Sequence, residues 1–177
     1  LKKIYIPIAF WINEKYKKKE KTLFIGFAGS QGSGKTTITS ILKIILKVFF
    51  KREIHVSSID DFYKTFKDRK KMSQQIHPLF ETRGVPGTHD INMIKNFFIR
   101  IKKKKFKKFY LPKFDKSIDD RMEKKYWYNI KKKPEIIILE ESDFSSIFLV
   151  VLRSIFNYFI NQTKLFCSIW SHKVITF

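Results

Sequence analysis

One stretch constrains this chain more than any other. Gly29-Ser30-Gln31-Gly32-Ser33-Gly34-Lys35-Thr36 fits GxxxxGK[ST] at every fixed position. Residues 22–28 (TLFIGFA) precede it and read as a buried strand. Residues 36–50 follow, with apolar side chains at 38, 41, 42, 45, 48 and 49 and with Lys43, Lys47 and Lys51 opposite, which is the period of an amphipathic helix. A strand, the loop and then a helix is the context in which this motif cradles phosphate. The glycines allow backbone angles that turn successive N–H groups around an anion. The helix end adds partial positive charge. Lys35 reaches the β/γ-phosphates as a point charge, and the Thr36 hydroxyl suits a Mg²⁺ that keeps waters and phosphate oxygens. Gly29, Ser30, Gln31, Gly32, Ser33, Gly34, Lys35, Thr36 and Thr37 are therefore the expected nucleotide-binding residues, with ATP and Mg²⁺ as cofactors. The bland alternative is a chance match in a Gly-rich loop, but the chain has only six glycines, and 26, 29, 32 and 34 lie here.

The pattern downstream alternates. Residues 54–61 (IHVSSIDD) form a β-like run ending in two acids. Residues 72–87 read as a loop, with Pro78, Gly84, Pro86 and Gly87. Residues 91–104 are helical, with 91, 94, 98 and 101 on one face and Asp90 or Thr88 as N-cap. A polar helix is expected near Arg121–Ile130. Pro134 introduces Glu135–Glu141, whose four consecutive aliphatics Ile136–Leu139 predict a strand buried on both faces. Strands alternating with helices predict an α/β fold, a parallel sheet flanked by helices of the P-loop NTPase type, incomplete at its C-terminal end. The expected organisation is a helical, basic segment (1–21), a P-loop core (22–140) and an apolar tail (141–177).

Composition enters through charge. The net charge of +21 suggests an anionic partner, but its make-up weakens that reading. Only six of 37 basic residues are Arg, and 31 Lys stand beside 26 Ile, 19 Phe and two Ala, the balance an A/T-biased coding sequence would give. A single cysteine, Cys167, excludes an internal disulfide and a Cys-cluster zinc site. The apolar stretch near the N-terminus runs into Trp11 and a Lys run without a small-residue cleavage site, which argues against a signal peptide. No run reaches about 18 apolar residues, so a soluble, cytoplasmic protein is expected.

In open α/β sheets the site lies beyond the carboxyl ends of the strands. Asp60 and Asp61 end one strand and Glu140 ends another. Strand alternation would let only one of Asp60 and Asp61 face the phosphates. A carboxylate there can take the proton of an attacking hydroxyl; the alternative for the pair is a helix cap or turn. Glu140, after four aliphatics, fits an acid that holds Mg²⁺ together with Thr36, or else the polar end of a strand. The two remaining glycines, 84 and 87, lie in Arg83-Gly84-Val85-Pro86-Gly87-Thr88-His89-Asp90, where Arg83, His89 and Asp90 cluster with no apolar partner of their own. An ordinary tight turn is the other reading.

These motifs, GFAGSQGSGKTT, SIDDFYKT, RGVPGTHD and LPKFDKSIDDR in this order, resemble the D-glycerate 3-kinase family and its fungal kinase relatives, which group with uridine kinase, pantothenate kinase and phosphoribulokinase. The resemblance runs from about Pro7 to Glu140. It implies that Lys35 and Thr36 bind ATP phosphate and magnesium and that Asp60 is the general base. It further implies that Arg83, His89 and Asp90 line the acceptor side, with Lys113, Asp115 and Arg121 near the acceptor or the transferred phosphate.

The function expected is an ATP-dependent kinase acting on a small hydroxyl compound, glycerate by resemblance. Alternatives are a related kinase for a nucleoside or pantothenate-like alcohol, and a non-catalytic remnant that still binds nucleotide. Last comes a nucleic-acid binder using the Lys runs 17–21, 102–108 and 131–133, which lack an accompanying nucleic-acid motif. Neither a specific nucleic acid nor a membrane is expected as partner. After Glu140 the family pattern gives way to a stretch without Gly or Pro, which is expected to arise from a frame change or truncation.

Overall fold

The computed structural model describes residues 2–19, 21–30, 32–141 and 174–176. Gln31 and almost all of the apolar tail, including Cys167 and His172, lie outside the described residues. The described chain falls into two compact units, one holding residues up to 58 with 133–141 and 174–176, the other residues 59–132.

The first unit is a parallel sheet with helices packed on it. Its elements are α1 (Lys2–Lys19), β1 (Leu23–Ala28), α2 (Lys35–Phe50) and β2 (Ile54–Ser58). From the far end of the sequence come two more strands of this sheet. Elements β3 to β6 belong to the second unit, β7 is Ile136–Glu141 and β8 is Val174–Thr176. The strand order is β2-β7-β1-β8. β7 runs parallel to both β1 and β2, with Ile138 opposite Ile25 on one side and Val56 on the other; β8 lies antiparallel on β1. A strand paired on both edges and covered on both faces reads as a near-continuous apolar run, and Ile136, Ile137 and Ile138 are all at 0% exposure, with the buried Glu140 and Glu141 ending the strand. One face of the sheet packs Leu23, Ile25, Phe27, Ile136 and Ile138 against Ala9 and Ile12 of α1 and Leu42 and Leu46 of α2. Each of these Leu, Ile and Phe side chains contributes roughly 1.5–3 kcal/mol of burial. Arg52 fastens the edge of this unit, donating to Asn13 Oδ1 at 2.8 Å and Glu135 Oε1 at 3.2 Å.

The second unit contains α3 (Phe66–Gln75), a 3₁₀ turn Pro78–Glu81, α4 (Ile91–Lys102) and two small hairpins. One hairpin pairs β3 (Phe109–Leu111) with β6 (Tyr128–Ile130), the other β4 (Phe114–Asp115) with β5 (Asp120–Arg121). Phe97 and Phe98 of α4 are buried, and Phe97 lies 5.9 Å from the ring of Phe62. Asp90 caps α4, accepting from Met93 N at 3.0 Å, which settles the cap expected at Asp90 or Thr88. The helix ends at Lys102 rather than 104.

Three expectations are corrected here. Residues 72–87 are not all loop, because α3 extends to Gln75 and Pro78–Glu81 is a 3₁₀ turn. The segment Arg121–Ile130 is not a helix: it is β5, a 3₁₀ turn Lys124–Tyr126 and β6. Its charged residues suit a helix locally, but pairing of Tyr128–Ile130 with β3 decides the outcome. Asp60 and Asp61 do not end a strand. β2 stops at Ser58, and both acids sit in a 3₁₀ turn, Ile59–Phe62. Among the described residues no helix is long and apolar enough to cross a membrane.

Candidate functional site

In the first unit, β1 delivers the chain to the phosphate loop and α2 leaves it. Gly32 and Gly34 both hold φ of +79°, a left-handed conformation that costs glycine nothing. A Cβ at either position would meet nothing within 4 Å, so backbone angle rather than crowding by the protein explains these glycines. Gly34 precedes the first turn of α2, whose N–H groups and dipole favour an anion. Lys35 Nζ donates to the carbonyls of Gly29 and Ser30 at 2.5 and 2.6 Å, which holds the ammonium over the loop. The Ser33 hydroxyl is buried with no hydrogen-bond partner among the described residues. The loop's start is tied to the sheet by Gly29 N donating to Glu141 O at 3.4 Å. Ser30, Thr36 and Thr37 are exposed.

Glu140 lies beside this loop. Thr36 Oγ1 donates to Glu140 Oε2 at 3.0 Å, and Thr39 Oγ1 donates to Glu140 Oε1. The two residues expected to share a magnesium ion are thus neighbours. Among the described residues no group of three His, Cys, Asp or Glu converges. A hydroxyl and one carboxylate form the sparse hard-oxygen set that fits Mg²⁺ with waters and phosphate oxygens completing its shell.

The second unit holds the other predicted residues. Asp60 and Asp61 are both buried, yet they serve different partners. Asp60 Oδ2 pairs with Lys116 Nζ at 2.6 Å, while Asp61 Oδ1 accepts from Phe114 N at 3.1 Å. Arg83 Nη1 donates to Asp119 Oδ1. Arg121 donates to the Tyr63 carbonyl at 3.0 and 2.5 Å and approaches Asp90 Oδ2 at 3.4 Å. Lys113 Nζ stands 6.0 Å from the Tyr128 ring centroid. Asp115 accepts from Ser117 N and Oγ at 2.8 and 2.6 Å, and these bonds hold its carboxyl below its ordinary range.

The expectation that Arg83, His89 and Asp90 lack apolar partners is overturned for His89. Its ring stacks on Tyr63 at 4.0 Å and 26°. Both ring nitrogens are buried without a hydrogen-bond partner among the described residues. Burial lowers its pKa to about 4, against the opposing pull of Asp60, so the ring is neutral near pH 7. Gly84 and Gly87 adopt φ of +92° and +98°, so that loop does require special backbone geometry.

The sequence matches no model of a known protein family. It does match individual proteins. "Probable ATP-dependent kinase TDA10" of Saccharomyces cerevisiae is 38% identical over 103 residues, covering 54% of this chain and 36% of that protein. Chloroplastic D-glycerate 3-kinase of Arabidopsis thaliana is 29% identical over 153 residues, covering 77% of this chain and 33% of that protein. The solved structure of the YGR205w protein superposes with a TM-score of 0.61 at 33% identity, covering 79% of this chain and 50% of that one. The homologues are D-glycerate 3-kinase and TDA10 kinase family members. The resemblance read from the four motifs therefore holds, as does the α/β fold with a parallel sheet flanked by helices. The chain spans about a third of the length of these two curated relatives and half of the solved one.

Residue-by-residue reading missed four participants: Thr39, Arg69, Lys116 and Asp119. Thr39 lies one turn beyond Thr36, a spacing that puts both on one helix face. Arg69, at 0% exposure, donates to Glu81 O at 2.5 Å and to Asp119 Oδ2 at 3.0 Å. The signal for its helix was present as Thr65-x-x-Asp68, a capping pattern in which Thr65 Oγ1 accepts from Asp68 N at 3.2 Å. Lys116 and Asp119 find their partners only through the β4–β5 turn, and no local pattern announces that.

Proposed function

We propose that this chain carries the nucleotide-phosphate and acceptor groups of a kinase that moves the γ-phosphoryl group of ATP to a hydroxyl of a small hydroxy acid, D-glycerate by likeness to its relatives. The observation that carries this reading is the pairing of Thr36 with Glu140 beside a phosphate loop whose Lys35 lies over its own carbonyls.

In this reading the backbone N–H groups of the phosphate loop and Lys35 hold the β- and γ-phosphates. Thr36 and Glu140 would hold Mg²⁺, which when bound offsets the charge of the phosphate oxygens. Asp60 accepts the acceptor hydroxyl's proton as the new O–P bond forms and the bond to the ADP oxygen breaks. Arg83 meets the acceptor's carboxylate, the planar partner that suits a guanidinium. His89, neutral at working pH, and Asp90 shape the acceptor side.

The test uses the purified full chain with Mg-ATP, measuring ADP release with glycerate, uridine or pantothenate. Release stimulated by glycerate, and abolished by Lys35→Ala, is the expected result. Stimulation by uridine or pantothenate instead would assign the related alcohol kinases. Nucleotide affinity unchanged in Lys35→Ala would remove the phosphate-loop assignment altogether.

A further inference from the structure

The four residues that join β4 to β5, Lys116-Ser117-Ile118-Asp119, reach two side chains given separate roles above. Lys116 Nζ lies 2.6 Å from Asp60 Oδ2, and the Lys116 side chain is otherwise 58% exposed. Asp119 divides its carboxylate between two arginines, with Oδ1 accepting from Arg83 and Oδ2 from Arg69 at 3.0 Å. The Asp119 carbonyl takes a further bond from Arg69 Nη2 at 2.5 Å.

These two arginines differ in freedom. Arg69 is fully buried, also bound to the Glu81 carbonyl, and lies 5.5 Å from the Phe66 ring. It is an anchor that cannot swing. Arg83 keeps 35% side-chain exposure and, among the described residues, spends only Nη1, on Asp119 and weakly on Lys116 O at 3.4 Å. A guanidinium has five N–H donors in a fixed fork, so most of its donors are left for a ligand. Asp119 thus transmits the rigidity of a buried arginine to a partly exposed one. The backbone is adapted to this task. Asp119 has φ of +53°, a left-handed conformation uncommon outside glycine and tolerated best by Asp and Asn. Asp115, accepting from Ser117, fixes the turn at its other end. Partial burial pulls the Asp119 carboxyl upward, and the bonds and charges of the two arginines outweigh that, keeping it ionised.

Charge names the ligand class. Within the pairs this turn makes, three cations (Arg69, Arg83 and Lys116) face two carboxylates (Asp60 and Asp119). Among the described residues these pairs therefore hold one cation more than carboxylates. We propose that residues 116–119 set acceptor specificity, with Asp119 a positioning residue for Arg83 and Lys116 supplying the second cation, so that a small hydroxy acid with one carboxylate is selected over a neutral polyol. This rests on the kinase reading above and adds the residues that choose the acceptor.

The experiment is calorimetric titration of the full chain, with Mg²⁺ and a non-hydrolysable ATP analogue present, by D-glycerate and separately by glycerol. Asp119→Asn and Asp119→Gly both keep the left-handed backbone available while removing the charge. Each should weaken D-glycerate binding by about tenfold or more, the loss of a charged hydrogen bond, and leave affinity for the ATP analogue unaltered. Lys116→Met should shrink the preference for glycerate over glycerol by a similar factor, and Lys116→Arg should restore it. Should an Asp119 variant fail to fold by circular dichroism, the exposed Lys116 pair decides alone. A turn with a merely structural role would shift melting without moving this preference. Variants that bind glycerate as tightly as the parent overturn the proposal. So does a parent chain that binds the ATP analogue but does not distinguish glycerate from glycerol, and that result leaves phosphate-loop function standing. A parent chain that binds no nucleotide fails at the kinase reading itself.

Discussion

Thr39, fully buried in α2, donates its hydroxyl to the Glu140 carboxylate near the end of β7. The bond fixes one carboxylate oxygen and leaves the other to the exposed Thr36. Thr39→Val keeps the shape and removes the donor. We expect a loss of about 1–3 kcal/mol in stability, the cost of stripping a buried charged acceptor of a partner. The Mg²⁺ concentration needed for nucleotide binding should rise as well. Urea unfolding and nucleotide titration across Mg²⁺ concentrations are the checks, and a variant as stable as the parent would show that the bond contributes nothing.

The two neighbouring acids should separate cleanly. Asp60→Asn removes the proposed base, and turnover should fall by ~10²-fold or more. Asp61→Ala strips the partner of Phe114 N, and its main effect should be on stability, by roughly 1–3 kcal/mol. The comparison is turnover per folded molecule. A greater loss of turnover at Asp61 would mean that the roles are reversed.

Gly87 tests the acceptor loop's backbone. Its φ is +98°, and an added Cβ would stand 3.1 Å from Phe80 Cε1. At Gly84, φ is +92° and the nearest atom, the Tyr63 hydroxyl, is 3.9 Å away. Gly87→Ala should therefore cost about 1–3 kcal/mol and Gly84→Ala less, since only the first adds a clash to the strain. Equal urea midpoints for the two variants would contradict this.

Stability should also depend on acid. His55 and His89 both have pKa values lowered to about 4, chiefly by burial, with Lys43 adding to the effect at His55. In the unfolded chain they take up protons near 6.5. Between those values the unfolded state binds more protons, so the stability these residues contribute is whole above about pH 6.5 and falls as pH drops toward 4. Each accounts for at most roughly 3 kcal/mol. Urea midpoints at pH 7.5, 5.5 and 4.5 give the slope, and replacing either His should flatten it.

What could be read from the sequence follows from how local each determinant is. The phosphate loop needs consecutive residues, and β7 shows itself because four consecutive aliphatics, Ile136–Leu139, suit a strand buried on both faces. α3 escaped because FKDRKKMSQQ has no apolar stripe; its inward residue is Arg69, held by carbonyls and Asp119. Residues 121–130 were misread because their partner strand, β3, lies elsewhere in the chain. Strand alternation, the premise on which Asp60 and Asp61 are set apart in the sequence, does not apply in a 3₁₀ turn. The difference comes instead from what the β4–β5 hairpin presents to each.

The position of β7 also bears on how such a chain is made. Thr22, just before β1, donates to Pro134 O across 112 residues of sequence, and β1 and β2 each pair with β7 rather than with each other. Both early strands leave the ribosome long before the strand that joins them. Until β7 emerges, Leu23–Ala28 and Ile54–Ser58 have no parallel edge to complete, so the nascent polypeptide leaves both strands without this partner until residues 136–141 are made. Such long-range pairing closes slowly and leaves time for aggregation. Production of this chain should accordingly be sensitive to temperature and to the supply of chaperones.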